Sequence, residues 1–321
     1  MQTTIELRPM SVGDILDAAF RLYRSSFLTL LGISALLTVP LAIAQTVVQG
    51  MFASLLVRMS DPANFGGGQN PFERLPLAEL LVFYALLFGF SLLQILVVQN
   101  LVGAAVVSAA DRARAGTPTG ILEAHRLGLP RFGALLLASL VLAGIWLVIS
   151  VAFGACVFGG AIAVGAAGAM LDSPLLVGFA VLGILFIAAM LFIPVALFFY
   201  TRFAVVVPAI VLERAGPLAG LGRSWALTGR AFWKSLLIVV LLGLIYYGIV
   251  SVPSQMASFI LTFASAGSPN LLPLASGVAS LLAYLGLILV QPLVLLGQTF
   301  QYYDLRVRSE ALDLELRAGE L

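Results

Sequence analysis

Apolar residues along this chain gather into six long runs, at 27–57, 80–110, 132–170, 175–201, 236–263 and 271–300. A bilayer crossing takes about 20 residues, so each run predicts one membrane-spanning helix. Tilt, or continuation beyond the bilayer, takes up the excess length. The third run is the longest, and its second half, GACVFGGAIAVGAAGAM, is rich in glycine. Splitting it into two crossings would send the later arginine-rich segments to the opposite side, so one span plus a glycine-rich extension or re-entrant piece is predicted.

A different pattern precedes alternate runs. In LERAGPLAGLGRSWALTGRAFWKSLL (212–237), Pro217 suits the first position of a helix. Leu218, Leu221, Trp225 and Leu227 then fall along one side at helical spacing. Arg223, Arg230 and Lys234 supply positive charge beside the following span, and Trp225 and Trp233 are rings suited to headgroup depth. This predicts a basic amphipathic helix on the membrane surface, its three cations facing anionic lipid. The alternative is a helix packed on protein.

The stretch 115–137 aligns with 215–237 without a gap and is identical at Ala115, Gly116, Gly120, Leu127, Phe132, Leu136 and Leu137. Near the start, Phe20 and Phe27 have the spacing of Trp225 and Phe232. There Ser11 and Asp14 form a capping-box-like start, and Asp17 and Arg21 stand four apart, a pairing distance. Ile15, Leu16, Ala19, Phe20, Leu22 and Tyr23 give that helix its apolar side. Self-similarity at a long period implies repeated units. The expected fold is an all-α polytopic bundle of six transmembrane helices with three cytosolic interfacial amphipathic helices. It forms one integral membrane domain over 1–321, in a threefold internal repeat with units near 8–110, 115–211 and 212–303, and a cytosolic tail at 304–321.

Composition fits this class: 61% of residues are hydrophobic and 10% charged, against about 25% charged in soluble domains. Of the 17 lysines and arginines, only Arg58 and Arg74 fall on one side of the predicted membrane. The positive-inside rule then places both termini in the cytosol of a cell (inner) membrane. No cleavable leader is expected, because the first 25 residues contain acids and no uninterrupted apolar core. Cys156 is the only cysteine, which excludes an internal disulfide.

Candidate chemistry is sparse. His125 is the only histidine, no His/Cys/carboxylate cluster has zinc spacing, and no acid lies mid-span. No catalytic residue, metal or cofactor is expected, and no nucleic-acid partner. Intramembrane polarity is uncharged: Gln45 and Gln49 in the first span, Gln94, Gln99 and Asn100 in the second, Gln291, Gln298 and Gln301 in the sixth. Asn100, Arg202, Gln298 and Gln301 occupy similar depths. They form either a polar layer around a headgroup or solute, or interhelical hydrogen bonds with Arg202 reaching the interface. Pro40, Pro194, Pro253 and Pro292 are candidate kinks. From Tyr302 onward the mixed charges read as a soluble or surface helix.

Three segments carry a family likeness: LRPMSVGDILDAAFRLYRSSF (7–27), PAIVLERAGPLAGLGRSWALTGRAFWKSLL (208–237) and QYYDLRVRSEALDLEL (301–316). They resemble the signature segments of the bacterial glycerophosphoryl diester phosphodiesterase membrane-domain family, over nearly the whole chain. That label comes from fusions to a phosphodiesterase barrel that works with two histidines and a carboxylate-held metal. With His125 alone, the resemblance implies only the membrane part. The expected function is a non-enzymatic membrane scaffold or accessory domain engaging anionic lipid, a protein partner or a second copy. The alternative is a small transporter or permease component. Half-broken helices at mid-membrane favour the alternative and a packed, dry bundle favours the scaffold; the most informative observation is whether a continuous polar cavity reaches Asn100 and Arg202.

Overall fold

The structure is a computed structural model that describes residues 9–60, 76–171, 174–265 and 271–310. Every regular element among them is helical. Six helices are long and apolar enough to cross a membrane, so the architecture is an all-α polytopic membrane bundle. Span one is α2 (Phe27–Ser60). Span two joins α3 (Leu77–Leu93) and α4 (Gln99–Arg114) through a π-helical turn at Gln94–Val98. Spans three and four are α6 (Phe132–Leu171) and α7 (Pro174–Arg202). Span five joins α10 (Phe232–Tyr246) and α11 (Val252–Ser265) through a second π-helical turn at Tyr247–Ser251. Span six is α12 (Leu272–Glu310). The loop around GGGQNP and residues 311–321 lie outside the described residues.

The third run is one uninterrupted helix of 40 residues, so its glycine-rich half is a helical extension and does not re-enter. At ~1.5 Å per residue it is roughly 60 Å long, twice the hydrocarbon thickness.

Of four shorter helices, α1 (Val12–Ser25) precedes the first span, and α5 (Ile121–Gly128), α8 (Val206–Leu212) and α9 (Pro217–Arg230) lie between spans. The capping box of α1 is formed: the Ser11 hydroxyl accepts from the Asp14 N–H at 3.1 Å, and the Asp14 carboxylate accepts from the Ser11 N–H at 2.8 Å. Asp17 and Arg21, in contrast, make no ion pair with each other; both point outward. The N–H of Met10 meets Asp304 at 2.8 Å and the Tyr23 hydroxyl donates to the Leu289 carbonyl at 2.7 Å. α1 therefore runs alongside α12 in the opposite direction. The Leu289 carbonyl lies just before Pro292, where the proline disturbs the helical ladder.

α5 and α9 are also packed on protein along one side. Gly128 ends α5 against the backbone of Ala104 in α4; a Cβ there would sit 2.8 Å from it. α9 buries Gly220, Leu221, Ser224, Leu227 and Thr228; of its predicted apolar side Leu221 and Leu227 are thus inside, Trp225 is partly covered by Phe198, Phe199 and Phe203, and Leu218 stays outside. The buried stripe thus overlaps the expected one at Leu221 and Leu227 and extends to Gly220, Ser224 and Thr228, small residues that allow the close crossing. Gly220 is pressed on Ile210 of α8, and the Ser224 hydroxyl donates to the Arg202 carbonyl at 2.8 Å.

The end of α12 is the largest departure from expectation. Residues 302–305 and 307 are buried, so this segment is core and not a surface helix. Tyr302 donates to Glu213 at 2.5 Å and Tyr303 to Asp111 at 2.6 Å. Asp304, only 1% exposed, accepts from the Met10 N–H, from Lys234 and from Arg308. Lys234 and Arg308 also donate to the Met10 carbonyl, at 2.6 and 2.8 Å. The last turns of α12 therefore gather α1, α4, α8, α9 and α10 into one knot of ions and hydroxyls at the basic end of the bundle.

Candidate functional site: an uncharged cavity between two π-helical turns

At the other end of the bundle, spans one, two, five and six separate around a cavity of about 500 Å³. α2 contributes Gln49; span two contributes Gln94 and Gln99; span five contributes Tyr246, Ser251, Ser254, Gln255 and Ser258; α12 contributes Ser280 and Tyr284. The α12 lining residues are roughly 35 Å or more from that helix's basic end, at ~1.5 Å per residue. No charged side chain lines the cavity. It offers amide and hydroxyl groups beside an apolar part formed by Val250, Ala279, Ala283 and Leu287.

The two π-helical turns place that lining. In the first, the Gln99 N–H donates to the Gln94 carbonyl, closing the wider ring. The second ends two residues before Pro253, whose ring crowds the carbonyl four residues back and whose nitrogen cannot donate to it. That carbonyl belongs to Ile249, and it lies against α12 at Gly286, where a Cβ would stand 2.8 Å from the Ile249 oxygen and 3.0 Å from the Val250 Cα. Only glycine lets α12 seat so closely on the bulged span. Ser254 then bonds back to the carbonyls of Val250 (2.8 Å) and Ser251 (3.1 Å), a contact that bends helices. Beside the cavity the Tyr284 hydroxyl donates to Gln45, and the Thr46 hydroxyl meets that of Ser280 at 3.3 Å, which ties α2 to α12.

Gln94 is the distinctive group. It is 8% exposed, and neither its amide nitrogen nor its amide oxygen has a partner among the described residues. Such a group costs about 1–3 kcal/mol when left unsatisfied. Gln301 is in the same state, but of the two only Gln94 belongs to the cavity wall.

The polar layer expected from sequence is not assembled. Asn100 is consumed by α6: its amide nitrogen donates to the Ser139 hydroxyl at 2.7 Å, and that hydroxyl donates to the Asn100 oxygen at 2.9 Å. Arg202 lies over the Trp225 ring at 4.5 Å and donates to the Trp225 carbonyl at 3.2 Å. Gln301 is 1% exposed with its amide unpartnered, and Gln298 is half-buried. None of these four lines the cavity, and no hydrogen bond among the described residues links them to one another.

Of the three cations expected to face lipid, Arg223 and Lys234 are engaged by carboxylates, whereas Arg230 is exposed. Arg223 donates to Glu213 at 2.8 Å and to Glu310 at 2.6 Å. The hydrogen bond to Glu310 above all, with Glu213 adding to it against the opposing effect of burial, holds this guanidinium above its ordinary range. Lys234 is bound to Asp304 and Arg230 donates to the Ser309 carbonyl at 3.4 Å.

Gln49, Gln94 and Gln99 are visible in the sequence as intramembrane polarity. The span-five contribution carries its own signal: Ser251, Ser254, Gln255 and Ser258 recur at i, i+3, i+4, i+7, a polar stripe down one face of an otherwise apolar run. Comparison with family models, curated proteins and solved structures returns no match. The cavity must therefore be read from its own chemistry.

Proposed function

We propose that this chain is a small carrier or permease component that receives a neutral, hydrogen-bonding ligand in the uncharged cavity between the two π-helical turns. The observation that carries this reading is Gln94, buried at the cavity wall with neither amide atom partnered among the described residues. A lining of amides and hydroxyls without charge selects polyols, amides or similar neutral groups, since an ion would stand in a low-dielectric site without a counter-ion. The protein acts without catalysis, in a cell membrane, with both termini in the cytosol and the cavity toward the opposite side.

The scaffold reading has its own support: the knot at the end of α12 is closely packed and its ions are paired with one another. That knot serves as the fixed base against which the other half works. The threefold repeat and the membership of the glycerophosphoryl diester phosphodiesterase membrane-domain family belong to the same proposal. Equivalent positions of the three units are deeply buried: Ala19, Ala124 and Ser224; Leu30, Leu135 and Ser235; Ile33, Ala138 and Ile238. Each interposed helix also rests on the last helix of the preceding unit, α5 on α4, α9 on α8, and α1 on α12.

The test is thiol accessibility. With Cys156→Ser as background, Ser254→Cys should react with a membrane-impermeant, water-soluble thiol reagent added from the side opposite the termini. A panel of neutral polyols and amides should slow that reaction. No reaction from either side, with a loop cysteine as positive control, refutes a water-accessible cavity. Reaction without protection by any solute refutes the neutral-ligand reading.

A further inference from the structure

A second cavity, of about 430 Å³, lies at the basic end between the end of α4, α5, the turn at Leu129–Arg131 and the end of α8. Arg112, Arg126, Arg131 and Arg214 line it. Arg112 shares its charge with Glu123 at 3.5 Å. Arg126, Arg131 and Arg214 have no carboxylate partner among the described residues, although the neighbouring knot shows how readily this end supplies them. Asp111 is the one acid on the wall, and its carboxylate is already held by Arg114 at 3.2 Å and by the Tyr303 hydroxyl at 2.6 Å.

Arg214 is held there against its backbone preference. It is the only non-glycine residue with positive φ among those described, at 56°, one position past the cap of α8. That place normally goes to glycine or asparagine, since a Cβ is disfavoured there. A bulky side chain kept in a strained conformation beside a charged pocket points to use of that side chain.

We infer that this pocket binds a phosphate-bearing anion. Guanidinium groups present paired N–H donors that match phosphate oxygens, and three without carboxylates around one concavity supply charge and geometry together. The apolar part of the wall, Leu127, Val211 and Leu212, leaves room for the carbon portion of a phosphate ester. The site is separate from the uncharged cavity and does not depend on the carrier reading.

The experiment compares the parent with Arg214→Gly and with Arg126→Gln combined with Arg131→Gln. Arg214→Gly removes the guanidinium and relieves the backbone, so it should melt at or above the parent temperature, and lost binding cannot be ascribed to lost folding. In one arm the protein, released from nanodiscs of phosphatidylglycerol and phosphatidylcholine, is examined by native mass spectrometry for retained lipid. In the other, glycerol phosphate and inorganic phosphate are titrated in detergent by thermal shift. Retention of phosphatidylglycerol that falls roughly tenfold in both variants identifies a lipid headgroup. Stabilisation by the soluble phosphates, lost in both variants, identifies a free phosphate ester. Binding unchanged in both variants, or no binding in either arm, overturns the proposal.

Discussion

The two ends of this bundle use polar groups in opposite ways. At the basic end, Asp304, Lys234, Arg223 and Glu213 are in ion pairs with each other or with Glu310 and Arg308. In the uncharged cavity, Gln94 is nearly as buried and has no partner among the described residues. A satisfied polar group holds its neighbours in place, whereas an unsatisfied one makes the native state less stable than it would be without the group. Burial and polarity are therefore not enough to recognise a site. An unpartnered group marks a candidate site only where it also lines a cavity, which Gln94 does and Gln301 does not.

Mutation should separate the two ends by sign. Asp304→Asn should have the largest effect, because it leaves Lys234 and Arg308 without a carboxylate in a buried setting. A loss of about 3 kcal/mol or more is expected, read as a lower unfolding midpoint in detergent. A midpoint within experimental error of the parent would show that the knot is decoration. Gly286→Ala comes next: its Cβ must push the Ile249 carbonyl away, for a loss of roughly 1–3 kcal/mol. If cysteine reporters in the cavity also change their reaction rate, the π-helical turn and α12 shape the cavity together. Gln94→Leu should be the smallest in magnitude, within about 1 kcal/mol of the parent and on the stabilising side. It should also remove the solute protection of the Ser254→Cys reporter. Gln301→Met sharpens the contrast, since that amide is equally unpartnered but does not line the cavity. It should match Gln94→Leu in stability and leave solute protection intact.

The spans were legible because their signal is length and hydrophobicity, which need no partner to be read. The capping box of α1 was legible because Ser11 and Asp14 satisfy each other locally. The knot was not. Its contacts join residues as far apart as Met10 and Arg308, and charged residues near a membrane end read equally well as lipid-facing or as paired. The segment from Tyr302 looked like a surface helix because its charges were counted as exposed, when their partners sit on four other helices. The cavity was half legible: the glutamines stood out singly, but two π-helical turns rotate them into register with span five, and only the Ser/Gln stripe at 251–258 hints at this.

The clasp between Met10 and Asp304 spans 294 positions of sequence, and this has a consequence for biogenesis. At about 5–20 residues per second, α1 leaves the ribosome roughly 15–60 s before the carboxylate that will hold it. Through that interval its apolar side has no α12 to rest on, and the bilayer interface is the nearby surface that can receive it. The amphipathic character of α1 then describes where the helix waits, while its packed position describes where it finishes. Arrival of α12 would lift α1 from the lipid, so that the first helix of the sequence reaches its packed position only after the sixth span has been made.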